Sequence, residues 1–203
     1  MQRNKDHVYQ VYEELIDWFD AHRSKELLME AFYLKLIQVH IFPGSSVLDV
    51  GCGTGEPLAR FFIQEGYQVT GIDGSKKMIA LCQKRFPQAS WEVADMRHLN
   101  RPDRFKLVLA WHSFFHLSPE EQPATLKLLC SLVKPQGLLV FTSGPEYGEI
   151  WGNNGGHDLY HASLSTETYQ NLLTEHHFKI LAHKIEDPAC GGATVWVAQK
   201  EVC

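Results

Sequence analysis

Several things are scarce in this chain of 203 residues. It has five cysteines, Cys52, Cys82, Cys130, Cys190 and Cys203. The count is odd and no two form a CxxC pair, which excludes a disulfide framework and a zinc knuckle and points to a reducing compartment. No stretch approaches the ~18 consecutive apolar residues of a membrane span. The opening MQRNKDHVYQ has no apolar signal core. A soluble, cytoplasmic protein with no membrane partner is expected. Positive charge is also scarce: 19 Lys and Arg stand against 24 Asp and Glu, a net charge of -5. That argues against a surface built to neutralise nucleic-acid phosphates. The phosphate-binding string GxxxxGK[ST] is missing, as are internal repeats and low-complexity segments.

The hydrophobic share, 44%, suits one domain over residues 1–203 with a sizeable core. Residues 7–41 are helical in pattern. Val8, Val11, Tyr12, Leu15, Ile16 and Phe19 recur at three- and four-residue spacings, and Leu27, Leu28, Ala31, Leu34 and Ile37 repeat the pattern. Pro43-Gly44 closes a helical cap, residues 1–44. From Ser46 strands and helices alternate. VLDV, YQVTGID, WEVAD, FKLVLAW and GLLVFTS read as strands, with helices over 57–65, 75–85 and 119–133. This alternation predicts an α/β, Rossmann-like three-layer sandwich with a mostly parallel sheet in the core, residues 45–143. Residues 166–203 read as a helix and a strand pair, KILAHKIE and ATVWVAQ, so the sheet ends with an antiparallel element. Residues 144–165 read as a long loop rich in Gly, Asn, His and aromatics, of the kind used as a lid over a substrate.

The sharpest local signal is VLDVGCGTGEP. In an open parallel sheet, ligands lie outside the carboxyl ends of the strands. Three glycines, Gly51, Gly53 and Gly55, follow the first strand. A dinucleotide turn, GxGxxG, would put a glycine where Glu56 stands. Pro57 removes an N–H that pyrophosphate would use. An anion is disfavoured there and a cation is tolerated. The second strand ends in Asp73, placed to accept hydrogen bonds from both hydroxyls of a ribose. A nucleoside bearing positive charge and no pyrophosphate fits these features, and S-adenosylmethionine is one.

Five segments in order, VLDVGCGTG, VTGIDGSKKMI, VADMRHL, FKLVLAWHSFFHL and LVKPQGLLVF, resemble the motifs of class I S-adenosylmethionine-dependent methyltransferases of the small-molecule type. The match covers residues 46–142 well and the tail less specifically. That family has a seven-stranded sheet. The resemblance implies S-adenosylmethionine as cofactor and S-adenosylhomocysteine as product. It implies that Asp49, Gly51, Gly53 and Gly55 lie under the methionine part, that Asp73 holds the ribose with Gly74 and Ser75 beside it, and that Asp95 and Met96 meet the adenine. Ala110, Trp111 and His112 would pass near the amino acid and the sulfonium. Cys52 and Arg60 match no essential role.

Methyl transfer from a sulfonium is an in-line displacement, so positioning does much of the work, roughly 7–11 kcal/mol when geometry is right. A neutral amine or a thiolate needs no side-chain base, whereas a hydroxyl or carbon acid usually does. The candidate bases are His112 and His116, four apart and on one face if the segment is helical. The alternative for His116 is a packed histidine that satisfies backbone groups at the start of a helix. A metal site has no third ligand at motif spacing, so none is expected. Tyr9 and Tyr12 in the cap, and Trp151, Tyr160 and His161 in the long connection, are candidates for the acceptor pocket, each with simple packing as the alternative. The expected activity is methyl transfer to a small molecule. A protein or RNA methyltransferase and a non-catalytic binder of the cofactor or its product are the rivals; nucleic acid is disfavoured by charge. An Asn/Asp-Pro-Pro-aromatic string, which would mark amino methylation of DNA bases or glutamine, is replaced by AWHSFFHL.

Overall fold

The computed structural model of the chain describes residues 5, 8–27 and 29–202. Leu28 of the second periodic run, Cys203 and most of the first seven residues lie outside them. Two helices, α1 (Val8–His22) and α2 (Ala31–His40), precede the sheet. Then come β1 (Ser46–Val50), α3 (Leu58–Gln64), β2 (Gln68–Asp73), α4 (Lys76–Arg85), β3 (Ser90–Val93), β4 (Phe105–Ala110), α5 (Gln122–Ser131) and β5 (Val133–Ser143). The remainder is β6 (Gly148–Asn154), β7 (His157–Ser163), α6 (Thr166–Glu175), β8 (Phe178–Asp187) and β9 (Ala193–Lys200).

Seven strands form one sheet in the order β3-β2-β1-β4-β5-β9-β8. The strands β1 to β5 are mutually parallel. Strand β9 runs against β5, and β8 pairs antiparallel to β9. Strand order reverses between β1 and β4, and that crevice is where a ligand belongs in such a sheet. Both faces are covered, and side-chain alternation divides the core in two. Leu48, Val50, Val108, Phe141 and Trp196 face α5 and α6, whereas Val47, Leu107, Leu109, Val140 and Val197 face α2 and α3.

The stretch 144–165, expected as a loop, is a β-hairpin. Strands β6 and β7 pair only with each other, with Trp151 opposite Tyr160 and Asn154 opposite His157. The two intervening residues, Gly155 and Gly156, both have positive φ, +55° and +85°. A two-residue turn of that kind matches the twist of the strands and needs glycine. The sequence GEIWGNN has few β-branched residues and carries only a weak strand preference, so the pairing was hidden. The hairpin tip rests on α1, where a Cβ on Gly155 would meet Trp18 and Leu15.

Helix α1 buries only Val8 and Leu15 fully. Polar ties hold it to α4 instead. The Glu13 carboxylate accepts from the Ser75 hydroxyl and from the Lys77 N–H (3.0 Å). Arg85 grips Asp20 with two bonds of 2.6 Å. The helix, the hairpin and the ends of β1, β2 and β4 together enclose a cavity of about 330 Å³.

Candidate active site

Asp49 ends the apolar run of β1 and is 5% exposed. Its carboxylate has no hydrogen-bonding partner among the described residues. Burial pushes it up to about 7, helped by the nearby Asp73 charge and opposed by Arg23. Next to it Gly51 turns the chain at φ +72°, and a Cβ there would run into Ser113. Ser113 sits so close because its hydroxyl donates to the Val50 carbonyl at 2.6 Å. No residue but glycine fits that point. The Asp73 carboxylate accepts from the Gly53 N–H (3.0 Å) and the Ser75 N–H (2.8 Å), so it pins the glycine turn to the start of α4. Burial raises it, and those two bonds hold it back. Each of its oxygens keeps a second lone pair free.

The other two acids of the motifs behave differently. Asp95 is bound by Arg97 through Nε and Nη2 (2.9 and 2.6 Å) and through the Arg97 N–H (2.9 Å). Burial pushes Asp95 up, but these bonds outweigh it and hold the carboxyl below the usual range. Arg97 also reaches Glu121 at 2.7 Å. Glu56 is tied to Arg60 at 2.6 Å. Arg60, which matched no motif role, therefore cancels the charge that Glu56 was expected to lend the site. The carboxylates left without a cation of their own are Asp49 and Asp73, while Arg97 is shared between Asp95 and Glu121.

Gly53, Gly55, Gly74, Met96, Trp111, His112 and His116 also line the cavity, as do Tyr9, Tyr12 and His161. Four expected residues do not. Ser75 caps α4, accepting from the Met78 N–H (3.2 Å), and is buried beneath Glu13. Ala110 points into the main core. Tyr160 alternates to the opposite side of β7 from His161 and donates to Glu149 at 2.6 Å, while Trp151 packs on it.

The histidine pair also departs from expectation. His112 stands in the left-handed region, φ +53°, and only Phe114–His116 form a short 3-10 turn. The four-residue spacing therefore does not put the two rings on one helical face. His116 is held at both ends: Nδ1 lies 2.8 Å from the Tyr160 carbonyl and Nε2 lies 3.0 Å from the Tyr12 hydroxyl. The carbonyl can only accept, so Nδ1 carries the proton and Tyr12 donates to Nε2. Burial, with His161 beside it, drives His116 down to about 3. A ring so occupied and so weakly basic is a positioning group rather than a general base. His112 has no partner on its ring, and burial drives it down to about 4.

Sequence reading missed Arg23, just past the end of α1. It lines the cavity, its charge acts on Asp49, His112 and Tyr12, and its guanidinium has no partner among the described residues. No motif marks it, because it comes from the cap. Phe19, Phe115 and Asn154 were also missed. No group of three or more His, Cys, Asp or Glu among the described residues could hold a metal.

Residues 47–137 match a family model described as a methyltransferase domain. Rat (Rattus norvegicus) glycine N-methyltransferase is 28% identical over 196 residues, covering 83% of this chain and 65% of that protein. A dTDP-3-amino-3,6-dideoxy-alpha-D-glucopyranose N,N-dimethyltransferase from Streptomyces fradiae is 33% identical over 130 residues, 63% of this chain and 51% of that one. Over residues 47–137 this chain is therefore similar to a methyltransferase domain. It spans 57–65% of the length of the first curated relatives it matches. The methyltransferase fold is also that of magnesium protoporphyrin IX methyltransferase from Synechocystis PCC 6803 with bound S-adenosylhomocysteine. The TM-score there is 0.75 at 17% identity, over 97% of this chain and 99% of that one.

Proposed function

We propose that this methyltransferase binds S-adenosylmethionine in the cavity and transfers its methyl group to a small-molecule acceptor. One observation carries the cofactor reading. Among the charged side chains lining the cavity, Lys5 and Glu56 each have a partner of opposite charge, and Asp95 and Glu121 share Arg97. Asp49, Asp73 and Arg23 have no such partner among the described residues. Two anions and one cation are the complement of a ligand with a sulfonium, an ammonium and a carboxylate. Buried charge is costly unless paired, so the ligand completes the site. When bound, the cofactor supplies a methyl group activated by positive sulfur.

The chain's own part is positioning and exclusion of water. Asp49 and Asp73 answer the cationic groups, Asp73 retains lone pairs for ribose hydroxyls, and Arg23 answers the carboxylate. Asp95, fixed by Arg97, stands at the adenine end. His112, neutral and unpartnered, is placed to orient the nucleophile. No strong base stands ready, which suits an acceptor that attacks in its neutral form.

A small acceptor is supported by the roof. Helix α1 and the hairpin close over the cavity, and the relatives named above are methyltransferases of glycine and of a dTDP-linked amino sugar. The net charge of -5 disfavours nucleic acid. The four described cysteines are unpaired, in keeping with a cytoplasmic location, and no described helix is long and apolar enough to cross a membrane. Calorimetric titration with S-adenosylmethionine and S-adenosylhomocysteine tests the reading. Saturable binding is expected, and no heat at millimolar ligand would reject it.

A further inference from the structure

We propose that the acceptor end of the cavity takes an electrically neutral, flat aromatic or heteroaromatic group, and not an amino acid or other carboxylate. The proposal rests on the assignment of Arg23 to the cofactor's carboxylate. With that cation engaged, no unpaired positive side chain remains in the lining. Arg97 is shared between Asp95 and Glu121. Lys5 lies 4.0 Å from Glu149 and over the Tyr160 ring. An anionic acceptor would lose its water and gain no cationic side chain, and once S-adenosylhomocysteine replaces the sulfonium it would face no positive charge at all, which costs far more than burying a neutral ring.

The wall that is left is made of rings. Phe115 comes from the turn after β4, and His161 comes from the hairpin. Their centroids lie 5.1 Å apart with planes 50° apart. His112 closes a third side, 6.0 Å from Phe115 at 59°. Tyr12 stands edge-on to His116 at 5.4 Å. Tilted rings at such spacings touch one another and form a continuous aromatic wall, against which another flat ring can pack. The wall is not purely apolar. The imidazoles of His112 and His161 have no hydrogen-bond partner among the described residues. Each offers one N–H and one lone pair without charge, because burial holds both rings neutral. These half-buried imidazoles are open to the cavity, and the Trp111 indole N–H in the same lining is buried without a partner; a neutral ring carrying a hydroxyl, amine or ring nitrogen can answer them. The preference is therefore for a polar but uncharged aromatic.

The hairpin supplies part of this wall. His161 reaches the cavity only because β6 and β7 pair in register and Gly152, opposite Leu159, leaves room; a Cβ there would lie 3.2 Å from the His161 ring.

The test uses the full chain saturated with S-adenosylhomocysteine and two probes with the same ring system, 2-naphthol and 2-naphthoate, followed by saturation-transfer NMR and calorimetry. Naphthol is expected to bind at least about tenfold more tightly than naphthoate, the least that an unpaired buried carboxylate should cost. Its affinity should fall at least about fivefold in both Phe115→Ala and His161→Ala, given the value of ring contacts. Melting curves with bound S-adenosylhomocysteine confirm that each variant is folded, and Phe115→Leu replaces the first if it is not. Equal or tighter binding of naphthoate would overturn the proposal, and its loss in Arg23→Gln would then give Arg23 to the acceptor. Naphthol binding unchanged in both variants, or no binding of either probe, would also overturn it. Failure of S-adenosylhomocysteine itself to bind would reject the cofactor reading first.

Discussion

The floor of the cavity and its roof use charge in opposite ways. At the floor, the ends of β1 and β2 present buried Asp49 and half-buried Asp73, two carboxylates with no paired cation. In the roof, α1 and the β6–β7 hairpin present rings, and the acids that dock α1 are tied off: Asp20 with Arg85, Glu13 with Ser75 and the start of α4. The floor is incomplete without a cationic ligand, whereas the roof is already satisfied and can only shape what enters. Arg23 is the exception, a roof residue with an open charge. It marks where the two halves must meet on one molecule.

The largest expected effect breaks the floor. Asp73→Ala removes charge-assisted hydrogen bonds of about 1.5–3 kcal/mol, a loss of roughly ten- to 150-fold in affinity for S-adenosylhomocysteine. An unchanged dissociation constant in calorimetry would take Asp73 out of the site. Next is acidity. Asp49 stands at about 7 in the free protein, faced by Asp73 from β2, by Arg23 from the cap and by the Cys52 thiol. A cationic ligand favours its ionised form, so binding is full above that value and weakens below it, by about tenfold between pH 7 and pH 5.5. A flat affinity across that range would contradict the placement of Asp49 against positive charge.

Arg23→Gln joins roof to floor. The variant should bind S-adenosylhomocysteine about five- to thirtyfold more weakly, the value of a bond to a charged group reduced by the partial exposure of Arg23. It should bind methylthioadenosine, which lacks the amino acid, as tightly as the parent. Equal losses for the two ligands would mean that Arg23 acts on folding rather than on the carboxylate.

The smallest effects concern stability alone. His112 and His116 are held at about 4 and 3, below their unfolded value near 6.5. Their contribution is present above pH 6.5 and is lost as the pH falls toward 4. Asp49, raised instead of lowered, acts in the opposite sense between about pH 4 and 7, so a double variant His112→Asn/His116→Asn should melt with a flatter acid limb than the parent. Arg85→Ala opens a partly exposed ion pair and should cost only about 0.5–1 kcal/mol by denaturant titration. A much larger loss would mean that α1 docks through that pair more than through Glu13.

The same division decides how much could be read from sequence. The floor was legible because its chemistry is local. Glycines, Asp49 and Asp73 sit at strand ends, and the alternation of strand and helix fixes where strand ends lie. The roof was not. Residues 144–165 look like a loop because a Gly- and Asn-rich strand has little preference of its own, and the pairing Trp151–Tyr160 is visible only once both strands exist. His161 and Tyr160 are neighbours in the chain and go to opposite sides. Arg23 follows a helix end like many surface arginines, and nothing in its neighbours says that it faces Asp49. Glu56 misled for a related reason. Its partner Arg60 lies one helical turn away, and whether that pair closes is a matter of side-chain geometry rather than spacing.

The central claim is that the cavity holds a buried carboxyl, Asp49, that ionises when a cationic ligand arrives. Calorimetry with S-adenosylmethionine at pH 6, in two buffers of different ionisation enthalpy, tests it most directly. At that pH the ligand's own amine is already protonated and Asp49 in the free protein is mostly protonated. Binding with release of about one proton is the expected result. Absence of binding at millimolar ligand, or binding with no proton released, would contradict the claim.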